Sequence, residues 1–111
     1  MTTAPFNVSD RKIIIQGSDV VVKETKLAPG EAIPWHHHSN VADIFYCIEG
    51  ELWIECKDAF SGERSTTLKL KVGESAEVNV GTAHRPYNPG DSVTRFILIQ
   101  GVGEYDWLAY F

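Results

Sequence analysis

Three consecutive histidines, His36, His37 and His38, stand in a chain of 111 residues that has only one other, His84. Their position inside the chain and their number exclude an affinity-tag remnant. On a β-strand, side chains two apart point to the same face, so His36 and His38 project together and His37 points the other way. Two imidazoles on one face are a pair of nitrogen donors for a transition metal, and a pair alone is an incomplete site. Asp43 opens the apolar stretch "DIFYCIEGELWIE". A carboxylate at the start of an apolar face is expensive to bury without a partner. His84 follows the turn "VGTA" and is expected at the start of a strand. Three imidazoles and one carboxylate would make a site of mixed neutral and charged donors with two open positions in octahedral geometry.

The elements that must position these donors read as strands. No stretch of a dozen residues keeps apolar side chains near a 3.6-residue period, whereas short alternating runs recur between turn residues. In "TLKLKV", Leu68, Leu70 and Val72 alternate with lysines and should share an inner face. After Gly73, Ala76, Val78 and Val80 should face inward in the same way, and "NPGD" at 88–91 is a turn. This is an all-β pattern, of the sandwich or barrel kind. "DIFYCIEGELWIE" reads as a hairpin with Glu49-Gly50 at its turn, which sets Cys47 opposite Leu52 and Cys56 opposite Asp43. The two cysteines should then stay apart, as expected of a reducing compartment.

Parity points Phe45, Leu52, Ile54, Phe96 and Leu98 inward, an apolar lining around a polar centre. Phe45, Cys56, Phe96 and Leu98 are the expected contacts for a small-molecule ligand, though the same residues would be core in any barrel, and a buried cysteine more often simply fills space. Arg85, Tyr87 and Arg95 fall near the rim or the outer face, where they could orient an anion or be solvated. Inward-facing Phe96, Leu98 and Gln100 leave the last long strand without an acid or base, so no catalytic residue is assigned.

Two stretches, "KIIIQGSDVVV" and "RFILIQ", are apolar on both faces and need cover on both sides. Either the aromatic tail "EYDWLAYF" folds over them or a second copy does, and the homodimer is the favoured expectation. One domain over residues 1–111 is expected, with strands over 12–24 and the tail 101–111 at the dimer or covering interface. The net charge of −5 and the lack of a basic patch argue against nucleic acid. No signal segment opens the chain, and the longest apolar runs are far too short for a bilayer span, so a cytoplasmic protein without membrane contact is expected.

The spacing of the donors resembles a known family. Gly30, five residues, His36, one residue, His38, four residues, Asp43, six residues and Gly50 matches the first motif of the cupin superfamily, with Asp43 where glutamate is usual. Gly73, Gly81, His84 and Asn88 match the second motif, with Asn79 where proline is common. The motifs cover residues 30–88, and "RFILIQ" resembles the strand that follows them. The resemblance implies a small single-domain cupin of the conserved-barrel type. It implies a jelly-roll β-barrel, the double-stranded β-helix, holding one divalent metal by His36, His38, Asp43 and His84. Iron, manganese, nickel, copper, cobalt and zinc all suit such donors. Asp43 is one methylene shorter than glutamate, so it ligates directly, acts through a bound water, or hydrogen-bonds beside a three-histidine centre. A metal-free cupin is the remaining alternative. The function implied is a metal-dependent enzyme acting on a small organic molecule. Because no further acid or base faces inward, dioxygenase-type oxidation is favoured over isomerase, cyclase or lyase chemistry. A non-catalytic module that binds a sugar or another small ligand is the alternative.

Overall fold

The structure, a computed structural model, describes residues 8–101 and 107–110. Its strands are β1 (Asp10–Gln16), β2 (Val20–Leu27), β3 (His36–His37), β4 (Ala42–Glu49), β5 (Glu51–Asp58), β6 (Thr66–Lys71), β7 (Ser75–Val78), β8 (Thr82–Tyr87), β9 (Thr94–Gly101) and β10 (Leu108–Ala109). They form two five-stranded antiparallel sheets, β1-β2-β9-β4-β7 and β10-β3-β8-β5-β6. Among the described residues no helix is long and apolar enough to cross a membrane.

Strict alternation builds the long strands of the first sheet. Val21, Lys23, Thr25 and Leu27 of β2 are buried while their neighbours are only partly so, and Thr94, Phe96, Leu98 and Gln100 of β9 repeat the pattern. Leu27, Phe45, Cys47, Val78 and Phe96 from this sheet meet Leu52, Ile54 and Leu70 from the other in one core. The alternation stops where the strands stop. Val72 and Val80, expected inside, lie beyond the ends of β6 and β7 and are exposed, because the turns at Gly73 and Gly81 have begun to redirect the backbone.

The expected hairpin at Glu49-Gly50 does not form. β4 pairs with β7 and β9, whereas β5 pairs with β6 and β8, so the chain crosses from one sheet to the other at this turn. Gly50 has φ 73°, and a Cβ there would sit 2.4 Å from the Val93 carbonyl oxygen. The tight turn is therefore a corner between layers. Cys47 lies opposite Phe96, Cys56 lies opposite His84, and Asp43 lies opposite Gln100 and Val78. Both cysteines are free and buried, in different sheets.

Ile13, Ile14 and Ile15 sit on β1, the outer strand of the first sheet, and are all exposed. The described part of the tail, residues 107–110, runs along the other sheet. Residues 102–106 and 111 of that tail lie outside the described residues, and β10 pairs with β3 at the edge of the second sheet. Asn88 locks the "NPGD" turn by donating to the Leu27 and Ser92 carbonyls at 3.1 and 2.7 Å and accepting from the Gly90 amide.

Candidate metal centre

His36 on β3 lies directly opposite His84 on β8, and His38 follows β3 immediately. Asp43 reaches the same point from β4 in the facing sheet. One donor atom from each of the four lies within 4.8 Å of all the others, and all four residues are buried. His37 is half-buried on the opposite side, its ring 6.3 Å from that of Phe60.

Backbone carbonyls prepare two of the imidazoles. The Nδ1 of His36 donates to the Pro34 carbonyl at 2.7 Å, and the Nδ1 of His84 donates to the Thr82 carbonyl at 2.9 Å. Each bond commits the ring proton to Nδ1 and leaves the Nε2 lone pair for a cation. The Nε2 atoms of His84 and His38 stand 2.9 and 3.0 Å from the same carboxylate oxygen, Asp43 Oδ2. For His84, this sets a lone pair against a carboxylate, an arrangement that needs a proton or a cation between them. With one donor atom from each residue gathered at one point, the four would hold a divalent metal between the sheets.

The electrostatics favour the same state. Burial, together with the neighbouring His84 and His38, lowers the His36 pKa to about 3, so this imidazole is neutral and available near neutral pH. Burial alone would raise the Asp43 carboxyl, but the adjoining His38 and His84 imidazoles outweigh it and hold the group below the usual carboxylate range. Gln100 Nε2 donates to the other carboxylate oxygen, Oδ1, at 3.1 Å and fixes the orientation of Asp43.

A small cavity opens beside this cluster. His36 and Asp43 belong both to the cluster and to the cavity wall, and Phe45, Leu98, Ile33 and Pro86 supply apolar lining. The Trp107 ring stacks on His36 with centroids 5.0 Å apart and also faces the cavity. Of the four expected ligand contacts, Phe45 and Leu98 are on this wall. All four belong to the core, and Phe96 and Cys56 do not reach the cavity; the Phe96 ring lies 5.6 Å from that of Phe45. Burial pushes the Cys56 thiol up to about 11. None of Arg85, Tyr87 and Arg95 lines the cavity. Arg85 pairs with Glu55 and covers the Tyr87 ring, and Arg95 lies between Glu24 and Glu49.

The cations that do line the cavity are Arg11 of β1 and Lys23 of β2. Lys23 is 5% exposed; burial and the nearby Arg11 lower its pKa to about 8, against a smaller opposing effect of Asp43. The inner face therefore does carry a further ionisable group, contrary to the expectation from β9 alone. Its signal lay in "VVVKETKL", where Lys23 and Thr25 share a face with Val21 and Leu27.

The Cupin domain family matches residues 23–100. The chain is a cupin. A germin-like protein of Morus alba is 31% identical to it over 85 residues, 76% of this chain and 39% of the relative. Among solved structures, a double-stranded β-helix protein of Klebsiella pneumoniae subsp. pneumoniae MGH 78578 shares the fold with TM-score 0.75 and 24% identity, over 97% of this chain and 90% of that one. A recombinant oxalate oxidase shares it with TM-score 0.73 and 21% identity, over 82% of this chain and 46% of that one. This cupin spans about two fifths of the length of the curated relatives it matches. The all-β jelly roll and the grouping of the motif residues thus agree with the family.

Proposed function

We propose that this cupin is a metal-dependent enzyme that transforms a small organic molecule bound in the cavity, with dioxygenase-type oxidation as the leading chemistry. One observation carries the reading: His36 and Asp43 belong at once to a four-donor cluster and to the wall of an open cavity, so a molecule in the cavity sits beside the metal. The likeness to an oxalate oxidase supports an oxidative reaction on a small molecule. When bound, a redox-active metal brings substrate and dioxygen together, and a redox-inert one polarises a substrate oxygen as a Lewis acid. The chain's own part is to keep His36 and His84 in the ligating tautomer, to hold Asp43 through Gln100, and to enclose the substrate with Phe45, Leu98 and Trp107.

Lys23 favours a second reading. A buried lysine on the cavity wall with its pKa lowered to about 8 can give a proton as the ammonium or take one as the amine, which isomerase or lyase chemistry at a redox-inert metal requires. Metal analysis of the protein purified without added metal, followed by dioxygen uptake with small phenols, diketones and sugar acids, separates the two. Iron with substrate-dependent uptake supports oxidation, and zinc without uptake moves the assignment to Lys23-dependent chemistry. Binding without any turnover makes the protein a non-catalytic ligand carrier. The exposed isoleucines of β1 support a homodimer formed along that edge, and the two free, separated cysteines support a cytoplasmic setting.

A further inference from the structure

The cavity wall that faces the histidines carries two cations, Arg11 and Lys23, against the one carboxylate of Asp43. Arg11 reaches it from β1 and Lys23 from β2, and Thr25, the cross-strand partner of Arg11, lies on the same wall. Two cations on one low-dielectric wall focus a positive potential into the cavity, which draws an anion toward the metal centre. A carboxylate fits this wall, since a guanidinium and an ammonium can each donate charge-assisted hydrogen bonds to it.

Gln100 adds a second element of selectivity. Its Nε2 must face Asp43, because a carboxylate only accepts, and this fixes the orientation of the amide. Oε1 is then buried without a hydrogen-bond partner among the described residues, although Gln100 lines the cavity. A buried carbonyl oxygen of this kind calls for a donor from whatever enters. A hydroxyl supplies one, and a simple carboxylate does not.

We propose that the cavity selects a small hydroxycarboxylate, its carboxylate held by Arg11 and Lys23 and its hydroxyl donating to Gln100 Oε1. This rests on the reading that the cavity is the substrate site. Ile33, Phe45 and Leu98 line the cavity and receive the ligand's carbon frame.

Lactate, propionate and lactamide have nearly the same shape and separate the two elements, since propionate lacks the hydroxyl and lactamide lacks the charge. Titrating each into the zinc-loaded and the metal-free full chain by calorimetry should show lactate binding about tenfold more tightly than either in both forms. Lys23→Met and Arg11→Gln should each reduce the preference for lactate over lactamide and leave zinc content unchanged. Two independent variants cover the case in which one fails to fold. Equal binding of lactate and lactamide, or a preference that survives both substitutions, overturns the proposal. So does a preference over propionate seen only with zinc, because the metal would then be reading the hydroxyl. Discrimination without turnover of any compound overturns the enzyme reading alone, whereas turnover of neutral compounds without discrimination overturns only the hydroxycarboxylate.

Discussion

The two sheets furnish different halves of the site. The second sheet supplies imidazoles from the two-residue strand β3, the residue after it, and the strand β8 opposite. The first supplies Arg11, Lys23, Gln100 and Asp43 from β1, β2, β9 and β4, four strands that are neighbours in that order. The histidine half is held locally, since the Pro34 and Thr82 carbonyls that orient His36 and His84 are each two residues away in sequence. The other half exists only because strands distant in sequence are paired, and it lines the cavity. Asp43 joins the two, touching His38, His84 and Gln100.

Removing the histidine half should have the largest effect. The double substitution His36→Ala and His84→Ala should lower metal affinity by about 100-fold or more, with the β-sheet circular dichroism retained. Unchanged metal content would show that these residues are not ligands. Asp43→Ala, at the junction, should lower metal affinity by about 10- to 100-fold. Full occupancy at unchanged affinity would place Asp43 outside the metal's own ligands.

Lys23→Met tests the other half: metal content should hold while lactate affinity falls about tenfold. Arg85→Met on the outer face is its counterpart. The Arg85–Glu55 pair is partly solvated, so that change should alter neither binding reaction and should move stability by only about 0.5 kcal/mol. If the two substitutions act alike, the division between wall and surface fails.

A gentler probe is pH. His36 has a folded pKa of about 3 against an ordinary 6.5, so between these values the unfolded chain binds a proton that the folded chain refuses. The contribution is fully present above about 6.5 and is lost as pH falls toward about 3. Urea unfolding of the metal-free protein should show stability declining across that window by at most about 1.4 kcal/mol per pH unit from this group. Flat stability there would mean that His36 takes up its proton in the folded state. Cys56→Ala, which removes a buried sulfur from the core, should cost about 1 kcal/mol of stability. Ligand and metal affinities should not change. A drop in metal affinity would bring the thiol into the site.

The histidine half was legible because it is written in spacings. A two-residue period puts His36 and His38 on one face and His37 on the other, whatever the strand pairs with. The inward set Asp43, Phe45 and Cys47 on β4 follows from the same parity, and all three are buried. What failed was partner choice. Glu49-Gly50 has the look of a hairpin turn, but Gly50 is packed against Val93 and Thr94, and β5 leaves for the other sheet. That error set Cys56 opposite Asp43 when its partner is His84. Lys23 was missed for a related reason. A lysine among valines reads as an outward residue until an inner face exists with Asp43 on it and a cavity between.

By itself the sequence determined the strand character of the chain, the two faces of each strand and, through two gapped motifs, the donors that gather. These depend on backbone period and residue type, which are local properties. The tertiary structure alone decided which strands pair, that β4 and β5 part at Gly50, and that Arg11 and Lys23 share a cavity with His36 and Asp43. Those outcomes depend on how two sheets close over one core. A cation's role is set by the dielectric and the charges around it, and these exist only once the sheets have met.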